Sequence, residues 1–429
     1  MPSGFFFGSE LLASKAPIST VPKCGACGLY KKCHTPKQPP DGKGKRRILL
    51  VGEAPGKEED RKGKPFVGPM GQILERTLRK LGVDMRRDCT ITNALICRPP
   101  NNEIDDNKKI DHCRPNLIRT VKDTDPEIII PLGGSAVTSL LGWLYKDDDL
   151  GTVTRWAGFR IPEQTLNAWV CPTWHPSYVY RSDYGESGRP NEVRVMLWES
   201  HLEQALKLKG RPWDKVPDYA GMVERIYKER EAVQLIKYFN KKGGVLAFDY
   251  ETNRLKPDAE NRAIISCSIC WRGKRTIAFP WGSRVQEAMS DLLWSKSTWK
   301  IASNKKFEDR WTRAVMKHRV RQWLWDTMVN AHIMDNRKGI TSIKFQSFVH
   351  LGAQMYEDHI RPFLEAKGKG VAVNRILEEI AIEDLLLYNG LDSLYELKVA
   401  FKQMRHFGLT WRQYAEKKTQ AAASLCEVR

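Results

Sequence analysis

Residues 48–68 read ILLVGEAPGKEEDRKGKPFVG, and the fold of the first half of the chain follows from them. Four apolar residues, Ile48 to Val51, carry the signature of a buried parallel strand. The chain then turns through Gly52, Pro55 and Gly56 into a loop that holds Glu53, Glu58, Glu59 and Asp60. That loop leaves the carboxyl end of a strand, where open α/β sheets receive their ligands. Pro65 to Gly68 add the ring of Phe66 on a pre-bent loop, ahead of a helix expected from about Pro69. Carboxylates that polarise water, beside a ring that stacks on a flat molecule, describe a pocket for a heterocycle.

Outward from this stretch the strand–helix pattern repeats. Met70, Ile73, Leu74, Thr77, Leu78 and Leu81 recur at helical spacing. Cys89–Asn93 is expected as a second strand, followed by a helix over 107–121. Glu127–Leu132 is expected as a third strand, and Gly133-Gly134 opens a short helix. Trp169–Thr173 is expected as a fourth, before a helix over 192–209. Such alternation predicts a four-stranded parallel sheet covered on both faces, an α/β/α sandwich. Glu53, Asn93 and His175 would then reach one rim of it. Cys24-x2-Cys27 precedes the first strand, and Cys97 and Cys113 flank the loop after the second. Four thiolates in this arrangement suit a tetrahedral zinc or an iron–sulfur cluster, and spacing does not separate the two.

Bulk properties set the frame. At 429 residues the chain is long for one core, so two domains are expected. No apolar run is long enough to span a membrane, and residues 1–17 are read as a frayed end rather than a signal peptide. The ten cysteines form no secreted disulfide pattern, which implies a reducing, cytoplasmic compartment. A net charge of +19 fits a polyanionic partner, whose phosphates would drive affinity.

Several stretches together resemble the iron–sulfur, family 4 uracil-DNA glycosylases: GEAPG at 52–56, EED-x-x-G-x-PFVG at 58–68, TNALICRPP at 92–100, HCRP at 112–115 and WHPSYVYR at 174–181. The resemblance implies a 4Fe–4S cluster on Cys24, Cys27, Cys97 and Cys113, with Cys33 outside the ligand set. It implies that Phe66 stacks on an extruded uracil and that Asn93 reads the base edge. His175 would donate to O2 of the departing uracil anion, and Glu53 and Glu59 would orient water or favour the cationic sugar. Tyr178 and Arg181 would wedge into the duplex after the base flips out. In GEAPG, Glu53-Ala54 stand where the best-known uracil glycosylases carry a catalytic Asp.

Composition changes after Gly210. The sequence predicts a glycosylase-like domain over 1–209, a linker over 210–228 with a charged helix from about 222, and a second domain over 229–429. In VLAFDYETN at 245–253, Asp249 and Glu251 are two apart on a strand and so share a face. Two such carboxylates repel unless cations stand between them. Glu308 in SNKKFED opens a helix, and Tyr388 and Asp392 in YNGLD lie four apart on another. Two divalent ions need carboxylates from several elements.

These three segments resemble the motifs of the 3′–5′ proofreading exonuclease domain of family A DNA polymerases, in its tyrosine (DEDDy) subclass. The resemblance implies a ribonuclease H-like mixed sheet. It implies magnesium or manganese on Asp249, Glu251, Glu308 and Asp392, with Tyr388 orienting the attacking water. The second motif normally ends in Asp, and here Glu308 stands there with Asp309 one place on. Cys267 and Cys270, three apart on a strand, are expected in the core. The expected partners are DNA, uracil-containing and with single-stranded 3′ ends, and a DNA polymerase on a separate chain. Some phage polymerases resemble this arrangement, which would place the protein in a host cytoplasm. A non-catalytic, uracil-sensing scaffold for a polymerase is the second expectation.

Overall fold

The computed structural model describes residues 21–145, 150–181, 190–356, 360, 363 and 380–427. The amino-terminal stretch read as a frayed end lies outside the described residues, as does His359. The chain divides into two compact units, with the main boundary between Pro217 and Asp218.

In the first unit, β1 (Ile48–Gly52) is buried at every position and lies inside the sheet, one strand in from its edge. It pairs in parallel with β2 (Cys89–Asn93) on one side and β3 (Ile128–Pro131) on the other. The register sets Gly52 opposite Asn93, so both strands end at the same level. The sheet has five strands rather than the expected four, because β4 (Ile161–Glu163) adds an antiparallel edge to β5 (Ala168–Val170). A three-residue strand that contains proline offers neither an apolar run nor an alternation, which is why the sequence hid it. Strand order β2-β1-β3-β5-β4 makes the chain leave β1 in opposite directions, and such a switch point opens a crevice beyond the carboxyl ends.

Helices Pro69–Lys80, Lys108–Thr124, Gly134–Leu144 and Glu192–Leu206 bury their apolar positions, among them Leu74, Leu117, Leu140 and Trp198.

The second unit has a six-stranded mixed sheet. Its strands are β6 (Val223–Arg225), β7 (Gly244–Thr252), β8 (Ile264–Trp271), β9 (Arg275–Pro280), β10 (Thr298–Ala302) and β11 (Trp323–Asp326), in the order β11-β10-β7-β8-β9-β6. β7 and β8 form an antiparallel pair, while β10 and β11 run parallel to β7. β6 falls inside the stretch expected as linker and helix. Val223 is buried there beside β9, and the helix begins only at Glu229.

Cys267 and Cys270 are fully buried on β8, in the core as expected. Helix Ile382–His406 packs against β6, β7, β8 and β9. Among the described residues no helix is long and apolar enough to cross a membrane.

Candidate functional sites

Three clusters of side chains need separate accounts. The first occupies the crevice beyond β1 and β2, a cavity of about 570 Å³ lined by Glu53, Glu59, Phe66, Asn93, Ser135 and His175 among others. Phe66 is buried and its backbone lies in the left-handed region (φ 53°), which costs a non-glycine residue strain unless the surroundings fix it. Arg86 does so: one guanidinium nitrogen donates to the carbonyls of Pro65 and Phe66 at 2.8 and 2.9 Å while another pairs with Asp41. Glu59 accepts from the backbone N–H groups of Val67 and Gly68 at 3.0 and 2.7 Å, bracing the same loop from the cavity side. Gly52 permits this packing, since a Cβ there would lie 2.6 Å from two carbons of the Phe66 ring.

Glu53 follows β1 directly. It accepts from the Ser135 N–H at 3.1 Å, at the start of helix Gly134–Leu144, where the helix dipole favours an anion. Asn93 is buried at the end of β2. His175 is half-buried and borders the cavity, its ring centroid 6.0 Å from that of Phe66. The Ser177 N–H donates to His175 Nδ1 at 3.2 Å, which caps the short helix Pro176–Val179. An Nδ1 that accepts leaves the proton of the neutral ring on Nε2. Burial holds the imidazole pKa below its ordinary value, against the opposing pull of Glu53 and Glu59.

Tyr178 is exposed, with the Arg194 guanidinium 4.5 Å from its ring centroid and donating to its carbonyl at 2.9 Å. Arg181 is exposed at the end of this described segment.

In the second cluster Cys24, Cys27, Cys97 and Cys113 line one small cavity with Leu29, Leu95 and Ile96. Cys24–Cys27 form a single helical turn, docked to helix Lys108–Thr124 by a Lys23 N–H to His112 carbonyl bond of 3.0 Å. Burial pushes the Cys97 thiol up to about 12 and raises Cys113 also, with the neighbouring cysteines adding to the effect. Thiolates gathered here therefore need a cationic centre. The Lys37 N–H at 3.2 Å from Cys97 Sγ and the Asn116 amide at 3.5 Å from Cys113 Sγ supply the sulfur-directed donors that such centres use. This donor set fits a metal group. Cys33 packs against the same apolar cluster without lining the cavity.

The third cluster lies in the second unit, around a cavity of about 310 Å³. Asp249, Glu251 and Asp392 each offer a carboxylate oxygen within 4.8 Å of the others. Asn389 donates to the Asp249 carboxylate at 2.7 Å and is itself held by Ser266. Burial, then the neighbouring carboxylates, raises the Asp249 and Glu251 pKa values well above the ordinary range, and Lys344 opposes this. Lys344 Nζ lies 3.3 Å from both Asp392 oxygens and donates to the Tyr388 oxygen at 2.8 Å. The Tyr356 hydroxyl also donates to Asp392.

Of the two acids at the second motif, Glu308 is buried and borders the cavity. Asp309 turns away to Arg313 and the Val320 N–H. Helical spacing decides this, because Glu308, Trp311 and Thr312 form the buried face of their helix.

A uracil DNA glycosylase superfamily model matches residues 39–199, and a 3′-5′ exonuclease model matches residues 223–406. The Type-4 uracil-DNA glycosylase of Thermotoga maritima is 35% identical over 185 residues, covering 43% of this chain and 88% of that protein. That of Pyrobaculum aerophilum is 36% identical over 170 residues, covering 38% and 81%. The chain belongs to the uracil DNA glycosylase superfamily. Its second unit is a 3′–5′ exonuclease domain built on the six-stranded mixed sheet. A DNA polymerase of Bacillus phage SP01 is 24% identical over 326 residues, and the match covers 69% of this chain but only 33% of that polymerase.

In the glycosylase domain the structure brings Glu53, Glu59, Phe66, Asn93 and His175 to one cavity, while Tyr178 lies on the helix that His175 caps. In the exonuclease domain it brings Asp249, Glu251, Glu308, Tyr388 and Asp392 together. Sequence reasoning missed Arg86, Lys344, Tyr356, Asn389 and Glu396. Only Glu396 carried a usable signal, because Tyr388, Asp392 and Glu396 recur every four residues along one helix.

Proposed function

We propose that the protein excises uracil from DNA and hydrolyses nucleotides from DNA 3′ ends, the second activity serving as proofreading for a polymerase on another chain. The observation that carries the first activity is the convergence of Phe66, Asn93 and His175 on one cavity beyond a shared strand level. A uracil turned out of the helix would stack on Phe66, with the Asn93 carboxamide meeting O4 as a donor and N3–H as an acceptor. Cytosine reverses that pair and leaves two mismatched polar groups, which a buried site rejects strongly.

When the C1′–N1 bond breaks, its electron pair passes to the base and charge collects on O2. The His175 Nε2–H is the donor for that charge, and a neutral ring offers the hydrogen bond while keeping its proton. Glu53, steadied by the Ser135 N–H, favours the cationic sugar and the water that adds at C1′. Glu59 contributes by fixing the Phe66 loop. Tyr178 and Arg181, both exposed, would fill the vacated stack. A 4Fe–4S cluster on Cys24, Cys27, Cys97 and Cys113, when bound, supplies the charge that lets four neighbouring thiolates coexist, two of them buried. Cys97 leads directly into the RPP loop, whose continuation at Asn102 and Ile104 walls the uracil cavity.

In the exonuclease domain, magnesium or manganese ions would be held by Asp249, Glu251, Asp392 and Glu308, and they supply charge neutralisation and an activated nucleophile. Asn389 fixes Asp249 for this task. Burial raises the Tyr388 pKa, so the phenol keeps its proton. Because Lys344 donates to its oxygen, the phenolic hydrogen is left to orient water or a phosphate oxygen. The phage polymerase similarity supports a replication setting.

A uracil-containing oligonucleotide incubated with the protein and then treated with alkali should break at the uracil, and His175→Ala should not produce the break. A 5′-labelled strand with magnesium should shorten stepwise, and Asp249→Ala should stop it. No strand break at any enzyme concentration would point to a uracil-sensing scaffold instead.

A further inference from the structure

Five carboxylates border the exonuclease cavity, and two of them lie outside the close Asp249–Glu251–Asp392 group. These are Glu308 and Glu396, each only 1% exposed and each with a buried Oε2 that has no hydrogen-bond partner among the described residues. The other acids are compensated differently: Asp249 by Asn389, and Asp392 by Lys344 and Tyr356. A buried carboxylate oxygen without a partner is costly, and two in one cavity call for a common solution.

Glu396 is also aimed. The Ser303 N–H donates to its Oε1 at 2.8 Å, just before the helix Lys305–Met316 that carries Glu308. The two glutamates therefore come from different helices and meet at the cavity that holds Asp249. Among the described residues that line the cavity Lys344 is the sole cation, so five carboxylates against one ammonium leave four formal negative charges. Two divalent cations match that charge, and hard cations take oxygen ligands of this kind.

We propose that Glu396 is a fifth carboxylate of the exonuclease site and that, with Glu308 and Asp249, it holds the second of two divalent cations. The proposal rests on reading this domain as a two-ion nuclease and extends it to a residue outside the three motifs. It also accounts for glutamate at position 308, where aspartate is usual. The longer side chain alters the reach of that ligand, and Glu396 supplies an additional oxygen from the opposite helix.

The test is manganese binding to the full chain, followed by electron paramagnetic resonance of the free ion and of the coupled ion pair. The parent should bind two ions in the exonuclease site. Glu396→Gln keeps an oxygen for the Ser303 N–H and removes the charge. It should bind the first ion as the parent does, weaken the second at least tenfold and lose the coupled-pair signal. The magnesium concentration for half-maximal strand digestion should rise by a similar factor. Should that variant fail to fold, Glu396→Asp keeps the charge, withdraws the oxygen by one methylene and should weaken the same ion.

Two ions bound to either variant at parental affinity would overturn the proposal while sparing the exonuclease reading. A parent that binds fewer than two ions would overturn both.

Discussion

Replacing His175 with asparagine separates the two tasks this side chain performs. Its Nδ1 accepts the Ser177 N–H and caps the helix Pro176–Val179, while its ring borders the cavity proposed to take uracil. Asparagine is among the best helix caps, and its side-chain oxygen can accept the same N–H, so His175→Asn should unfold within about 0.5 kcal/mol of the parent. His175→Ala loses the cap and should be destabilised by about 1 kcal/mol. Both variants lack the donor to the leaving oxygen, a loss that costs about 10²–10³ in rate, or roughly 3–4 kcal/mol of barrier. Single-turnover uracil release and denaturant melts of the three proteins give the comparison.

The same geometry fixes a pH dependence. Because the ring pKa is held below its ordinary value, the acid limb of excision should lie below about pH 6.5, the unperturbed histidine value. Protonation turns Nδ1 from acceptor to donor, which ends the Ser177 N–H bond and leaves the Ser177 Oγ, 2.7 Å away, to accept. Glu53 acts to raise that pKa, so Glu53→Gln should move the limb further toward acid. A His175→Asn protein that releases uracil within threefold of the parent rate would refute the assignment of Nε2–H to the leaving base.

Three further outcomes follow from the two sites. Phe66→Ala should lower kcat/KM for uracil release by about 5- to 150-fold, the range expected for about 1–3 kcal/mol of lost base stacking, as read by steady-state excision from single-stranded substrate. Lys344→Met should destabilise the exonuclease domain by roughly 3 kcal/mol in chelator, because Asp392 loses its buried partner. Excess magnesium should restore most of that stability in thermal melts. The folded-state pKa values of Asp249 and Glu251 are raised, so their contribution is present below the unfolded carboxylate values near pH 4 and is lost as pH climbs through the folded ones. The chelated protein should therefore melt progressively lower as pH rises above the ordinary carboxylate range, while the magnesium-loaded protein should show a smaller decline.

The sequence exposed what depends on spacing along one element. ILLVG declared a buried central strand, and Asp249-x-Glu251 declared a shared strand face. The choice of Glu308 over Asp309 was also within reach of helical spacing, since Glu308 alone continues to Trp311 and Thr312 on the buried face. Features that depend on what lies across from a residue stayed hidden. The stretch MVERIYKEREAV has the charge pattern of a helix start, yet Val223–Arg225 is drawn into a strand by the open edge of β9. Nothing near Arg86 announces that it pins the carbonyls of Pro65 and Phe66, twenty and more residues earlier. Lys344 reads as one more basic residue among seventy Lys and Arg.

The two domains solve opposite versions of one electrostatic problem. In the glycosylase cavity the charge that the proposed reaction must stabilise would develop on the departing base. That cavity therefore keeps a neutral donor, His175, and burial suffices to hold it neutral. Its carboxylates are bound off to backbone N–H groups: Glu53 at Ser135, Glu59 at Val67 and Gly68. In the exonuclease cavity negative charge is permanent, and backbone donors reach only part of it. Ser303 engages one oxygen of Glu396, and the second oxygens of Glu308 and Glu396 are buried with no hydrogen-bond partner among the described residues. A mobile divalent cation suits that second case because it can neutralise the acids and the incoming phosphate together, which a fixed lysine, already committed to Asp392, does not. The glycosylase chemistry should accordingly survive chelation of free divalent ions, and the exonuclease chemistry should stop.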